Sequence, residues 1–240
     1  MNCQKTELIV ALDVDELDQA LRIVDALGEH VEWYKIGKQV FTANGPQAVH
    51  LLKERGKKVF LDLKFHDIPN TVAAAVRSAG KIGADMVNVH ASGGGEMMKA
   101  AAEAAREFDM ILVGVTVLTS MNSSELANIG ISSSPEQQVI RLARLARNAG
   151  LDGVVCSAWE IAAIHKVCGA DFQLVVPGIR PAGADHGDQK RVMTPAQAAA
   201  AGAQFIVVGR PVTQAENPVT AAKLVKQELS ACKENAVTRQ

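Results

Sequence analysis

Two acids and a lysine stand close together in Asp62-Leu63-Lys64-Phe65-His66-Asp67, directly after the apolar run Val59-Phe60-Leu61. Residues two apart on a strand point to the same side, so Asp62 and Lys64 face one way and Leu63 the other. Charges inside an apolar run are costly to bury unless they are paired. Lys35, in Trp33-Tyr34-Lys35-Ile36-Gly37, would complete an alternating Lys-Asp-Lys array from a neighbouring strand, and Asp67 would add a fourth charge if the loop returns it. Four charges at one rim read as reactive machinery; the alternative is a structural ion-pair network. A second group points to phosphate. Gly209-Arg210 follows the last apolar run, where Gly lets the backbone approach an anion and Arg offers a charged fork. Arg180 and Gln189, in the long segment before it, would close over the same group.

Other residues carry less. His90 ends an apolar run and reads as a core histidine, and His66 beside Asp67 lacks a second His at ligand spacing, so no metal site is expected. Cys156 has no adjacent partner that would make it a nucleophile and reads as packing. Trp33-Tyr34 reads as a core anchor rather than a stacking platform.

The elements that position these residues follow from the hydrophobic pattern. Eight short apolar runs cover Glu7–Leu12, Val31–Ile36, Lys58–Leu63, Met86–Val89, Met110–Val117, Gly153–Cys156, Phe172–Val176 and Gln204–Val208. Most are continuously apolar rather than alternating, as in strands buried on both faces of a parallel sheet. Each gap has room for a helix, and several helices announce their ends. Leu17, Ala20, Leu21, Val24 and Leu27 share one helical face with Gly28 as the stop. Ser134-Pro135-Glu136-Gln137 and Thr194-Pro195-Ala196-Gln197 are capping-box starts, and Asn217-Pro218 opens the last helix. Eight strand-helix repeats without a break in composition predict one domain over residues 1–240, an α/β (β/α)8 TIM barrel. A doubly wound open sheet is the runner-up, but no G-x-G-x-x-G follows the first strand. Barrel enzymes keep their working residues at the C-terminal strand ends, where Asp13, Lys35, Asp62, Lys64, Arg180 and Arg210 all fall. Two connections, Thr119–Ser134 and Gly178–Met193, are longer than a barrel needs and read as lids or surface loops.

Composition narrows the class. The 240 residues hold 25 Lys+Arg against 26 Asp+Glu, a net charge of −1, which gives no broad pull toward nucleic acid or an anionic membrane. The four cysteines are scattered, without a CxxC pair, and read as reduced thiols. No apolar run approaches a membrane span, and Leu8-Ile9-Val10-Ala11-Leu12 is too short for a signal-peptide core. A cytoplasmic protein is expected.

The block Asp62-Leu63-Lys64-Phe65-His66-Asp67-Ile68-Pro69-Asn70-Thr71 resembles the signature of the orotidine 5′-phosphate decarboxylase family. The resemblance extends through Ala11-Leu12-Asp13, Lys35-Ile36-Gly37, Val117-Leu118-Thr119-Ser120, Pro177-Gly178-Ile179-Arg180-Pro181 and Gly209-Arg210-Pro211-Val212-Thr213, from about residue 7 to about residue 230. D-x-K-x-x-D alone is shared with sister phosphosugar enzymes; the ten-residue block with P-G-I-R-P is more specific. The resemblance is to the monofunctional bacterial type, so no fused phosphoribosyltransferase is expected.

The resemblance implies a (β/α)8 homodimer that converts orotidine 5′-phosphate to UMP and carbon dioxide, the last step of de novo UMP synthesis, with no metal or organic cofactor. It implies that Lys35, Asp62, Lys64 and Asp67 form a charged tetrad, with Asp67 and Thr71 reaching the partner's site and Lys64 donating a proton to C6. Asp13 and Lys35 would hold ribose hydroxyls and Thr119 the pyrimidine. Gln189, Gly209 and Arg210 would grip the 5′-phosphate with Arg180 close by. Ile68, Leu118, Val176 and Pro177 would wall the space that takes carbon dioxide. Two other functions compete: a sister barrel such as 3-keto-L-gulonate 6-phosphate decarboxylase, which uses Mg²⁺, and a non-catalytic nucleotide sensor.

Overall fold

The computed structural model describes residues 6–181 and 193–237, with side chains described as far as residue 230. The apolar runs become eight parallel strands: β1 (Glu7–Ala11), β2 (Trp33–Gly37), β3 (Lys58–Phe65), β4 (Met86–His90), β5 (Ile111–Val115), β6 (Gly153–Val155), β7 (Gln173–Val176) and β8 (Phe205–Val208). They pair in sequence order, and β8 closes on β1 through Glu7↔Phe205 to Val10↔Val208. The closed parallel barrel excludes the open-sheet alternative.

Strand alternation sorts the side chains into two layers. Ile9, Trp33, Phe60, Met86, Val113, Val175 and Phe205 fill the barrel interior, with Trp33 edge-on to Phe205 at 5.4 Å between ring centres. Their neighbours along the chain, among them Val10, Tyr34, Leu61, Val87, Leu112, Leu174 and Ile206, face outward into the helix layer. Trp33 and Tyr34 are thus core anchors, as their types suggested, one in each layer. Two residues beyond Trp33, Phe60 and Met86 stand Lys35, Asp62 and Asn88, all buried. The barrel's apolar plug is therefore the floor on which the polar layer sits.

The helices start and stop where local chemistry directs. Helix Leu17–Leu27 buries Ala20, Ile23, Val24 and Leu27, and Gly28 takes φ +46 beyond its end. Helices Pro135–Asn148 and Pro195–Ala201 carry the expected capping boxes, Ser134 with Gln137 and Thr194 with Gln197. Pro218 opens the last helix, which runs to Val237.

Three expectations are corrected. The third strand does not end at Leu63 but runs to Phe65, because a bulge adds residues against β4. The fifth ends at Val115 rather than Val117; just beyond it the Thr116 N–H and hydroxyl both donate to the Val155 carbonyl, at 3.3 and 2.8 Å. The Thr119–Ser134 connection is not structureless: Asn122 and Glu125 cap each other reciprocally and start a short helix, Ser123–Asn128. Most of Gly178–Met193 lies outside the described residues; its ends meet in a bridge between Ile179 and Met193.

Among the described residues, no helix is long and apolar enough to cross a membrane.

Candidate active site

At the C-terminal ends of the first three strands, charges alternate as the spacing predicted. Lys35 Nζ donates to Asp13 Oδ1 at 2.8 Å and lies 3.4 Å from Asp62 Oδ2. Lys64 Nζ donates to Asp62 Oδ1 at 2.5 Å. The strand register explains the meeting: Ala11 pairs with Lys35 and Gly37 with Asp62, so the three ends lie side by side. Burial pushes the Asp62 carboxyl up, but the charges of Lys35 and Lys64, with hydrogen bonds from Lys64 and Asn88, outweigh it and hold the group below its ordinary 3.8. Asp62 is therefore a carboxylate with cations on both sides. A depressed carboxyl contributes stability that is complete above the unfolded value and lost as pH falls through the lower folded one. Denaturant titrations below about pH 3.8 should accordingly show a shallower acid loss for Asp62→Asn than for the wild type.

Lys64 reaches Asp62 by a bent path. Its φ is +55, a left-handed conformation rare for a residue with a side chain, at a cost of order 1–3 kcal/mol. The pairing with β4 jumps there from Leu61↔Val87 to Phe65↔Val89. The displaced Lys64 backbone N–H donates instead to Asn88 Oδ1 at 2.8 Å, while Asn88 Nδ2 donates to Asp62 Oδ1 at 2.7 Å. Simple two-residue alternation placed Lys64 on the correct side without foreseeing this bulge. Asn88 itself was missed; its signal was a lone amide between Val87 and Val89, two positions beyond inward-facing Met86.

Gly37 has a steric role. A Cβ there would lie 2.8 Å from Asp13 Oδ1 and 3.0 Å from Lys35 Nζ. Its φ of −88 is open to any residue, so a side chain there is opposed only by the tips of Asp13 and Lys35, which would have to shift. Gly37→Ala should keep the fold and weaken substrate binding by about 10-fold or more, read as a rise in KM, because the Asp13–Lys35 pair must separate.

The charged cluster lines one side of a cavity of about 170 Å³, and mostly apolar side chains line the rest. Thr119, Leu118 and Pro177 border it as expected. Val176 does not: it is fully buried in the outer layer, and its neighbour Val175 lines the cavity instead. The resemblance named Val176 for the wall, but strand alternation turns Val175 inward and Val176 outward. Ile68 is 67% exposed and also lies outside the cavity lining. Gly209 and Arg210 leave β8 beside β1, where a Cβ on Gly209 would sit 3.6 Å from Ala11 Cβ. Arg180 is buried, with Nη1 on the Ile179 carbonyl. Gln189 lies outside the described residues.

Asp67 is not brought into the cluster within one chain. It is exposed, and its Oδ1 accepts from the Ile68 N–H at 2.7 Å. Thr71, on helix Pro69–Lys81, is exposed beside it. His90 is half-buried against His66, 5.7 Å between ring centres, and burial above all, then His66 and nearby lysines, lowers its pKa. Cys156 is a buried thiol in the cavity wall, pushed far up by desolvation and then by Glu160. That environment makes it inert, in keeping with a packing role. Among the described residues no cluster of three His, Cys, Asp or Glu forms a metal cage.

Comparison with known proteins matches residues 6–225 to the profile described as the orotidine 5′-phosphate decarboxylase / HUMPS family. The chain belongs to this family. Proteins named orotidine 5′-phosphate decarboxylase are similar over most of their length. That of Moorella thermoacetica is 51% identical over 237 residues, covering 95% of this chain and 94% of the relative. That of Aliivibrio fischeri strain MJ11 is 55% identical over 215 residues, covering 88% and 92%. The crystal structure of orotidine 5′-phosphate decarboxylase from Lactobacillus acidophilus superposes with a TM-score of 0.85 at 38% identity, covering 93% of this chain and 99% of that one.

Proposed function

We propose that the chain is an orotidine 5′-phosphate decarboxylase, producing UMP and carbon dioxide without metal or organic cofactor. The observation that carries the reading is the Lys35–Asp62–Lys64 array on the wall of a largely apolar cavity. Breaking the bond from C6 to the carboxylate leaves an electron pair on C6, in the ring plane and without a neighbouring carbonyl to delocalise it. The Lys64 ammonium stabilises that charge and then gives C6 its proton, so electrostatic and acid catalysis share one group. Asp62, held ionised, orients the ammonium and stands beside the substrate carboxylate. Two such charges about 4 Å apart repel by about 4 kcal/mol at an effective dielectric of about 20, and the repulsion ends as carbon dioxide leaves into the apolar side.

The remaining residues grip the nucleotide. Asp13 and Lys35 take ribose hydroxyls, Thr119 the pyrimidine, and Gln189, Gly209 and Arg210 the phosphate, with Arg180 nearby. Phosphate binding remote from C6 supplies energy that aligns the reacting end. The working unit is a homodimer in which Asp67 and Thr71 complete the partner's site. Their exposure, with 67%-exposed Ile68 between them, supports an interface there.

Supplying orotidine 5′-phosphate and, separately, 3-keto-L-gulonate 6-phosphate with Mg²⁺ tests the assignment. Carbon dioxide from the first alone is expected. Release from the second alone would move the chain to the sister activity, and tight UMP binding without release from either would make it a sensor.

A further inference from the structure

We infer that Asn88 is the positioning residue of this site: one side-chain amide sets both the backbone of Lys64 and the carboxylate of Asp62. The inference rests on the decarboxylase reading above. Asn88 is 1% exposed, and its side chain makes both contacts at once: Oδ1 accepts the Lys64 backbone N–H at 2.8 Å, and Nδ2 donates to Asp62 Oδ1 at 2.7 Å.

The chemistry admits only this amide orientation. Flipping the group would set Nδ2 against an N–H donor and Oδ1 against a carboxylate acceptor. The Lys64 N–H needs such an acceptor because the β3 bulge takes it out of register with the backbone of β4. At φ +55 nothing in the intrinsic preference of a lysine holds it in place. The Asp62 Oδ1 atom that receives Nδ2 is also the atom that receives Lys64 Nζ. Lys64 is thus fastened at both ends of its own side chain, directly at the backbone and through Asp62 at the ammonium. Aspartate at 88 would keep the acceptor for the N–H but turn a second anion on Asp62; leucine would keep the bulk and supply neither bond.

Steady-state kinetics on orotidine 5′-phosphate, with UMP affinity measured separately, tests this in Asn88→Leu and Asn88→Asp. Both should lose about 100-fold in kcat, while KM and the UMP dissociation constant stay within about 3-fold, since phosphate and ribose contacts are untouched. Retention of kcat within about 3-fold would overturn the inference, as would parallel loss of kcat and UMP affinity, the mark of a merely structural residue. A readout on the wild type covers variants that do not fold. By NMR the Asn88 Nδ2 proton held by Asp62 should exchange slowly with solvent, whereas exchange as fast as that of an exposed side-chain amide would overturn the inference. If wild-type protein fails to decarboxylate orotidine 5′-phosphate, the function assignment falls; if it turns over and the Asn88 variants match it, only the positioning role falls.

Discussion

Lys64→Ala is expected to leave a folded barrel that still binds UMP but decarboxylates orotidine 5′-phosphate about 10⁴-fold more slowly or worse. The magnitude follows from losing two contributions with one group. Proton donation by a positioned acid is commonly worth about 10²–10⁴, and a preorganised charge beside a developing anion about 10²–10³ more. Both act in the transition state, so kcat should fall much further than KM rises. Lys64→Arg should fail as well, because a guanidinium does not give up its proton near neutral pH and its planar fork does not match a point-charge site. The side chain is 25% exposed and Asp62 only 12%, so the ammonium has access to the cavity while its counter-ion stays in the wall. Near-normal turnover in a folded Lys64→Ala protein would remove Lys64 as the proton donor.

The second large effect concerns the dimer. Asp67→Ala and Lys64→Ala should each be close to inactive alone, yet regain activity when their subunits are exchanged. In a hybrid dimer with shared sites, one site collects both defects and the other collects neither. Random exchange therefore restores about a quarter of wild-type specific activity, from half the dimers carrying one intact site each. The geometry motivates the experiment: Asp67 lies apart from Lys35, Asp62 and Lys64 in its own chain and points its carboxylate at the neighbouring Ile68 N–H. Activity that stays at the level of the parents after verified exchange would place each site within one subunit.

Most of what positions the site was legible in the sequence because the period of a buried strand is simple. Lys35 and Asp62 each stand two residues beyond an interior aromatic, Trp33 and Phe60, and the same count places them in the polar layer. Capping boxes at Ser134 and Thr194 are local and were equally plain. What was not legible depended on contacts between strands. The bulge at Lys64 is a mismatch between β3 and β4 that neither strand shows alone. Asn88 gains its meaning only once that bulge leaves an N–H to satisfy. Val176 was expected in the cavity wall from the resemblance alone; the pleat of the seventh strand turns Val175 inward and sends Val176 to the helix layer. The Asn122 capping box escaped notice because its polar neighbours read as loop.

The most direct measurement is the ultraviolet absorbance of orotidine 5′-phosphate incubated with purified protein and excess EDTA. The account predicts conversion to UMP, abolished by Lys64→Ala. No conversion by folded, dimeric protein, or conversion that returns only when Mg²⁺ is restored, would contradict it.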